Sequence, residues 1–426
     1  MRFLSAILLL FCSQLYAAEW FQTPFSEIEA LANQETLSNE AHLTLALAYA
    51  QDLRVADAAE QVALTTGGMA PQLQMHKMIV DMVLANDVLD RQEYEVQFDS
   101  AMRLANSLAD YQSTAWLLIH RANQAIYQRD MDGALANLEQ ALDVINKHDV
   151  PLLPAVELAY ARYYFESANW PLMQEQLISA EQALLEQPMP AVEIEVKYLA
   201  FEYALARQPL ADASAELARL LATDYPSQRL AAKIRRAEML FAGAAEQNYI
   251  QAANALFDQI DQMQSASESL YAKHVIAHVM VENEDPQAVD AIADLSSDLH
   301  RLPRNAFRDW IELDYWLLKY QYLRGNGEFE AALFALEAHN TLSQKLWENN
   351  SANRSERLKA YFSREAAKYE QRLSEQKQTL QQVRDQADDL RLRNAVLIAL
   401  ASILTIALII TLVNFVKVLR KTRQYR

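Results

Sequence analysis

The sequence predicts an all-α protein, and three observations carry the prediction. Its 426 residues include only six glycines, and Ala, Leu, Gln and Glu dominate the composition. No segment alternates apolar and polar residues with β-branched enrichment for long enough to make a sheet. Between residues 19 and 350 the apolar positions instead recur at helical spacing, in runs of roughly 12 to 20 residues joined by short turns. Gly67, Gly68, Gly133, Gly243, Gly325 and Gly327 fall near expected helix ends, and prolines at 151, 154, 188, 190, 209, 226, 286 and 303 punctuate others.

The first element, residues 1–18, reads as a secretory signal peptide. One basic residue, Arg2, precedes an apolar run from Phe3 to Phe11, and Ala17 and Ala18 offer a cleavage site. Phe11 is too bulky for lipoprotein processing at Cys12. Since Cys12 is the one cysteine and leaves with this segment, the mature chain is expected to fold without a disulfide.

Residues 19–352 form the second element, a set of paired helices with an internal period. In "AWLLIHRANQAIYQRDMDGALANLEQAL" the small residues Ala122, Ala134 and Ala141 let two antiparallel helices approach, Leu138 fills the gap beside them, and Gly133 starts the second helix. This unit resembles a tetratricopeptide repeat. "AYARYYFESANWPLMQEQLISAEQAL" aligns with it at an offset of 38, placing Leu172 and Ser179 where Ala134 and Ala141 stood. "AEMLFAGAAEQNYIQAANALFDQI" and "YWLLKYQYLRGNGEFEAALFALEAHN" repeat the pattern. The last has Ala332 at the packing position but His339 where a small residue is expected. "ALAYAQDLRVADAAEQVAL" is a shorter copy. The resemblance implies a tetratricopeptide-like α-solenoid of degenerate repeats, whose concave side would bind a protein or peptide.

Residues 353–393 carry a 4-3 spacing and are expected to form a coiled-coil stalk. Ala366, Leu373, Leu380 and Ala387 take the a positions, with Phe362, Tyr369, Gln376, Val383 and Leu390 at d. At about 1.5 Å per residue this seam would reach roughly 43 Å. In a parallel homodimer its g-to-e′ pairs would include Glu365 with Glu370 and Arg372 with Lys377, both like-charged. A marginal homodimer, a pairing with another membrane protein's coil, and a lone stalk helix all remain open.

Residues 394–416 read as one transmembrane helix. Ala395 to Val416 carries no charge, and its length gives roughly 33 Å of helix against a hydrocarbon core of about 30 Å. The tail, 417–426, contributes Lys417, Arg420, Lys421, Arg423 and Arg426, the basic cluster that marks the inner side of the membrane. The expected location is therefore a bacterial inner membrane, crossed once, with the N-terminal bulk periplasmic and a short cytoplasmic tail. Removing Arg2 and the five tail cations from 38 basic residues leaves 32 against 56 acidic ones. An exterior near −24 repels nucleic acid and anionic headgroups.

Chemistry was sought in three places. "KHVIAHVMVE" sets His274, His278 and Glu282 on one helical stripe, a weak candidate for metal ligation, but Val275 stands where a zinc-protease motif needs glutamate. Phosphate loops, the G-x-S-x-G elbow and a mature cysteine nucleophile are all missing from the sequence. The aromatic runs Tyr160, Tyr163, Tyr164, Phe165 and Trp310, Tyr315, Trp316, Tyr320, Tyr322 belong mostly to the core by their spacing, with one or two of each run expected to reach the groove. No catalytic residue and no cofactor is expected.

The order of these parts is itself informative. A helical-repeat array, the segment "LSQKLWENNSANRSERLKAYFSREAAKYE", a Gln/Glu/Arg-rich coil, one crossing and a basic exit resemble the periplasmic sensor region of membrane-bound bacterial diguanylate cyclases and histidine kinases. In that family the activity lies in a cytoplasmic domain, which this sequence does not contain. The expectation is a non-enzymatic sensor or adaptor that couples through stalk and crossing to a signalling partner. An envelope scaffold tethered to the membrane is the alternative.

Overall fold

The computed structural model describes residues 30–33, 37–87, 91–127, 130–224, 227–260 and 262–351. The chain divides into two units, Met1–Ala352 and Asn353–Arg426, and the described residues all belong to the first. The expected signal peptide, the expected stalk from Phe362 to Leu390, the expected crossing and the tail cations lie outside them. Among the described residues no helix is long and apolar enough to cross a membrane.

Eight helical hairpins follow one another. They pair α1 (Asn39–Gln51) with α2 (Val55–Leu64), α3 (Pro71–Asp87) with α4 (Arg91–Leu108), and α5 (Tyr111–Tyr127) with α6 (Met131–His148). Next come α7 (Leu153–Glu166) with α8 (Trp170–Glu186), α9 (Pro190–Arg207) with α10 (Leu210–Leu221), and α11 (Gln228–Ala244) with α12 (Tyr249–Ile260). The last two are α13 (Ala266–Glu282) with α14 (Ala288–Arg301) and α15 (Ala306–Gly325) with α16 (Phe329–Ser351). The described residues thus form an all-α hairpin solenoid.

Local chemistry sets the helix ends. Ser38, Asp130, Ser227, Ser265 and Asn305 are N-caps whose side chains accept a hydrogen bond from an amide of the first turn. Proline stands in the first turn of α7, α8 and α9, where its missing N–H costs nothing. Ala109, Asp149, Ala168 and Glu284 end helices in the left-handed region without being glycine. That use of ordinary residues at turns is why the eight hairpins among the described residues need so few glycines.

Inner and outer helices differ in patterning because they differ in what covers them. Odd-numbered helices pack against their own partner and against neighbouring inner helices. They are therefore buried on most sides, as in Leu43, Leu45, Leu47 and Tyr49 of α1. Outer helices show a single apolar stripe, such as Ala213, Leu217 and Leu220 of α10. In the third hairpin Ala122, Ala134, Leu138 and Ala141 are fully buried where α5 crosses α6, and Ala332 is buried in α16. The fourth hairpin corrects the sequence alignment by one residue. Met173, Leu177 and Ala180, not Leu172 and Ser179, occupy the buried stripe of α8, so the offset is 39. His339 keeps its place because its ring Nδ1 lies 3.0 Å from the Leu313 carbonyl of α15.

The array also returns on itself, with contacts that recur at an offset of five hairpins. The carboxylate of Asp52, just past α1, accepts hydrogen bonds from Ser227 Oγ (2.5 Å) and the Arg229 amide (3.2 Å) at the start of α11. Asp87, the last residue of α3, accepts from Ser265 Oγ (2.5 Å), Ser267 Oγ (2.9 Å) and the Ala266 amide (3.1 Å) at the start of α13. Tyr127 at the end of α5 meets Phe307 of α15 edge to face, with ring centroids 5.4 Å apart. Hairpins one, two and three therefore sit against hairpins six, seven and eight. Inner helices that would otherwise border an open groove surround a narrow lumen.

Candidate functional site

The lumen is a cavity of about 300 Å³ whose lining comes from α3, α5, α7, α9, α11, α13 and α15 and from Asn305, the N-cap of α15. Its volume is on the order of ten waters. The cavity admits a small molecule or an extended chain segment.

Two charged stripes lie side by side on its wall. On α9, Glu195, Tyr198 and Glu202 are spaced three and four apart. On α11, Arg229, Lys233 and Arg236 are spaced four and three apart. Glu195 is the hub. Its carboxylate accepts from Arg162 Nη2 of α7 (2.5 Å) and Arg229 Nη1 (2.7 Å), with Lys233 Nζ 3.0 Å away. Burial opposes its ionisation, but Lys233, Arg162 and Arg229 outweigh burial and hold the carboxyl well below the usual carboxylate range. Glu202, with less direct cationic support, is pushed up by burial. Burial together with Arg236 pushes the Lys233 ammonium down.

Arg236 is the most unusual residue of the lumen. It is fully buried, and its guanidinium carbon lies 5.0 Å from the Tyr198 ring centroid and 4.4 Å from that of Tyr271. Nη1 stands 3.0 Å from Glu268 Oε2 of α13, close enough for an ion pair. Nevertheless Nε, Nη1 and Nη2 all lack a hydrogen-bond acceptor, and Glu268 Oε2 lacks a donor. Burial disfavours the charge on Arg236, but Glu268 together with Tyr198, Tyr271 and Glu202 outweighs burial and holds its pKa above the ordinary arginine value. A guanidinium with five donors, held between two rings and ion-paired without a well-formed hydrogen bond, can still meet an acceptor group.

Aromatic rings complete the wall. Tyr271 lies 5.8 Å from Trp310 and 6.2 Å from Phe307, centroid to centroid, and donates from Oη to Glu202 Oε1 at 3.4 Å. Of the two aromatic runs in the sequence, Phe165 and Trp310 line the lumen. Tyr160, Tyr163, Tyr164 and Tyr315 are buried in the helix layers.

The histidine stripe does not converge on a metal. His274 Nε2 lies 2.5 Å from Asp314 Oδ2, and His278 Nε2 lies 3.3 Å from Glu282 Oε1, so the three residues belong to two separate pairs. Among the described residues no group of three His, Cys, Asp or Glu side chains is placed to hold a metal ion. His274 instead stacks on Tyr271 at 5.9 Å, behind the lumen wall.

Sequence reasoning passed over the charged stripes. Their signal was present: "PAVEIEVKYLAFEYALAR" and "QRLAAKIRRAEMLFAGA" each carry charges on an otherwise apolar inner helix, one acidic and one basic, at matching helical intervals.

No protein-family model matches the chain, and no curated protein matches it. Among solved structures, the crystal structure of a Rap protein complexed with Competence and Sporulation Factor is similar, with 12% identity and a TM-score of 0.45. The likeness covers 75% of this chain and 99% of that one.

Proposed function

We propose that the protein is a non-enzymatic sensor or adaptor whose helical-repeat unit is the binding part. A protein or peptide would be engaged by the solenoid, and the state of the solenoid would be passed to a membrane partner through the residues after Ser351. The observation that carries this reading is the lumen, which gathers the inner helices of seven hairpins around one set of buried charges. A ligand placed there touches most of the array at once. The uncharged run from Ala395 to Val416 and the basic residues Lys417, Arg420, Lys421 and Arg423 support anchoring in a bacterial inner membrane with the solenoid on the periplasmic side. The 4-3 seam between Phe362 and Leu390 supports coupling by a homodimer or by a partner's coil.

The test is crosslinking in intact membranes followed by mass spectrometry, done with the natural chain and with residues 394–416 exchanged for an unrelated apolar helix. Capture of a signalling membrane protein through residues 353–393, lost on the exchange, is the expected result. Capture of periplasmic proteins alone, unchanged by the exchange, would replace the adaptor with a tethered scaffold.

A further inference from the structure

The geometry points to a free small-molecule carboxylate as the ligand of the lumen, its carboxylate on the Arg236 guanidinium and its apolar body against Tyr271, Phe307 and Trp310. This rests on the reading of the helical repeat as the binding part, and it goes further by naming the chemistry bound.

Elimination among the cations of the wall leaves Arg236. Arg162, Arg229 and Lys233 are all committed to Glu195. Arg236 is fully buried, and although its Nη1 stands 3.0 Å from Glu268 Oε2 as an ion pair, none of its three nitrogens has a hydrogen-bond acceptor. Buried donors are almost always satisfied, so three on one guanidinium call for a partner. A planar fork of donors matches a carboxylate in two parallel hydrogen bonds. The rings of Tyr198 and Tyr271 leave only the edge of the guanidinium to meet such a group. Size suits a small ligand. About 300 Å³ is at the lower end of small-molecule pockets, and the aromatic side of the wall suits an apolar body of a few carbons.

The experiment uses the purified full-length chain and three acid–amide pairs: acetate with acetamide, benzoate with benzamide, and phenylacetate with phenylacetamide. Binding is read by calorimetry and by thermal shift. The expected result is that at least one acid binds and raises the melting temperature, while its amide binds roughly 10- to 100-fold more weakly, the range for a charge-assisted hydrogen bond. In Arg236→Lys, checked for folding by circular dichroism, the acid should fall to the affinity of its amide. Should that variant fail to fold, the acid–amide comparison in the unaltered chain still decides. An amide that binds as well as its acid overturns the proposal, and so does failure of all three acids. A peptide ending in Ala-Ala-Phe, tested with a free and an amidated terminus, is the last arm. Tighter binding of its free form than of any small acid would overturn the small-molecule source and move the carboxylate to a chain end. None of these readouts involves the membrane. Failure here with a signalling partner still captured sinks only the ligand, and binding here with no partner captured sinks only the adaptor.

Discussion

The closure of the array at an offset of five hairpins can be broken at a single carboxylate. Asp87→Ala removes the acceptor for Ser265 Oγ, Ser267 Oγ and the Ala266 amide, contacts that join residues 178 to 180 positions apart. The stranded amide costs about 1–3 kcal/mol, and each lost bond to a charged acceptor is of similar size. Against this stands the relief of removing a carboxylate that burial pushes to a raised pKa. The hydroxyls can also rotate to other acceptors. The net loss is therefore about 2–4 kcal/mol, confined to the contact between the second and seventh hairpins. Hydrogen exchange is the right assay, since a solenoid opens in parts and a global denaturation curve averages them. Amide protection in α3 and α4 should fall roughly 30- to 700-fold, at 1.4 kcal/mol per tenfold, while α7 and α8 keep theirs.

Asp87→Asn separates hydrogen bonding from charge. The asparagine oxygen can accept from the Ala266 amide while its NH₂ donates to serine hydroxyls, which accept as readily as they donate. Its cost should be less than half that of alanine. The pH dependence has a definite sign. A carboxyl whose folded pKa lies above its unfolded value of 3.8 favours folding most below that value and loses the advantage as pH rises through the folded pKa. The wild-type advantage over Asp87→Asn should therefore shrink between acid and neutral pH. Protection in α3 that drops less than about fivefold in the alanine variant, or ~1 kcal/mol, would refute the clasp as the origin of the closure. Equal loss in α7 would refute its locality.

The remaining expectations concern the lumen and the helix crossings. Glu195→Gln leaves Arg162, Arg229 and Lys233 without their shared anion and should cost about 3 kcal/mol in urea denaturation. Because the folded pKa of Glu195 lies below 4.5, its contribution is fully present above that value and is lost as pH falls through the folded pKa. The gap between wild type and the variant should hold from neutral pH to about 4.5 and close only in stronger acid. Gly243→Ala would place a methyl 2.4 Å from Val279 Cγ1, forcing α11 from α13 at a cost of about 1–3 kcal/mol. Gly325→Ala, with open space around its added carbon, should be neutral or mildly stabilising by the same urea midpoint. Ala134→Arg puts a cation at a fully buried crossing and should unfold the third hairpin, seen as lost helicity by circular dichroism.

The hairpins were legible because each is a local statement. Small residues such as Ala122, Ala134 and Ala141 at a crossing reveal close approach, and helical periodicity fixes which face is apolar. The one-residue slip at Met173 shows the limit of that reading. Leu172 is apolar too, and only packing against α7 tells which residue faces in. The closure was not legible, since nothing in the neighbourhood of Asp52 says that its partner is Ser227, 175 positions on. A clue existed all the same. Asp52 and Asp87 stand at the C-terminal ends of α1 and α3, where the helix dipole disfavours an anion. An acidic residue there asks for compensation from elsewhere, and the N-termini of α11 and α13 supply it. The lumen was missed for a related reason. Glu195 and Arg236 look like solvated residues until the closure turns an open concave face into an enclosed one.

Arg229 makes the closure and the lumen parts of one arrangement. Its amide donates to Asp52 Oδ1, its Nε donates to the Gln51 carbonyl at 2.5 Å, and its Nη1 donates to Glu195 Oε1. One residue thus holds the end of the first hairpin and the anionic hub of the cavity at the same time. Lys233, which also serves Glu195, stands one turn along α11 and lowers its own pKa partly through Arg236. An anion arriving on Arg236 would weaken the repulsion between these two cations and tighten Lys233 on Glu195. Interior networks of this kind polarise together because little water screens them. Through Arg229, an anion bound in the lumen would act on the contact between the first and sixth hairpins. A repeat array that simply stacked neighbours would lack any such dependence, because each repeat would feel only the next. Closure at an offset of five would let one small cavity act on hairpins far apart in the sequence.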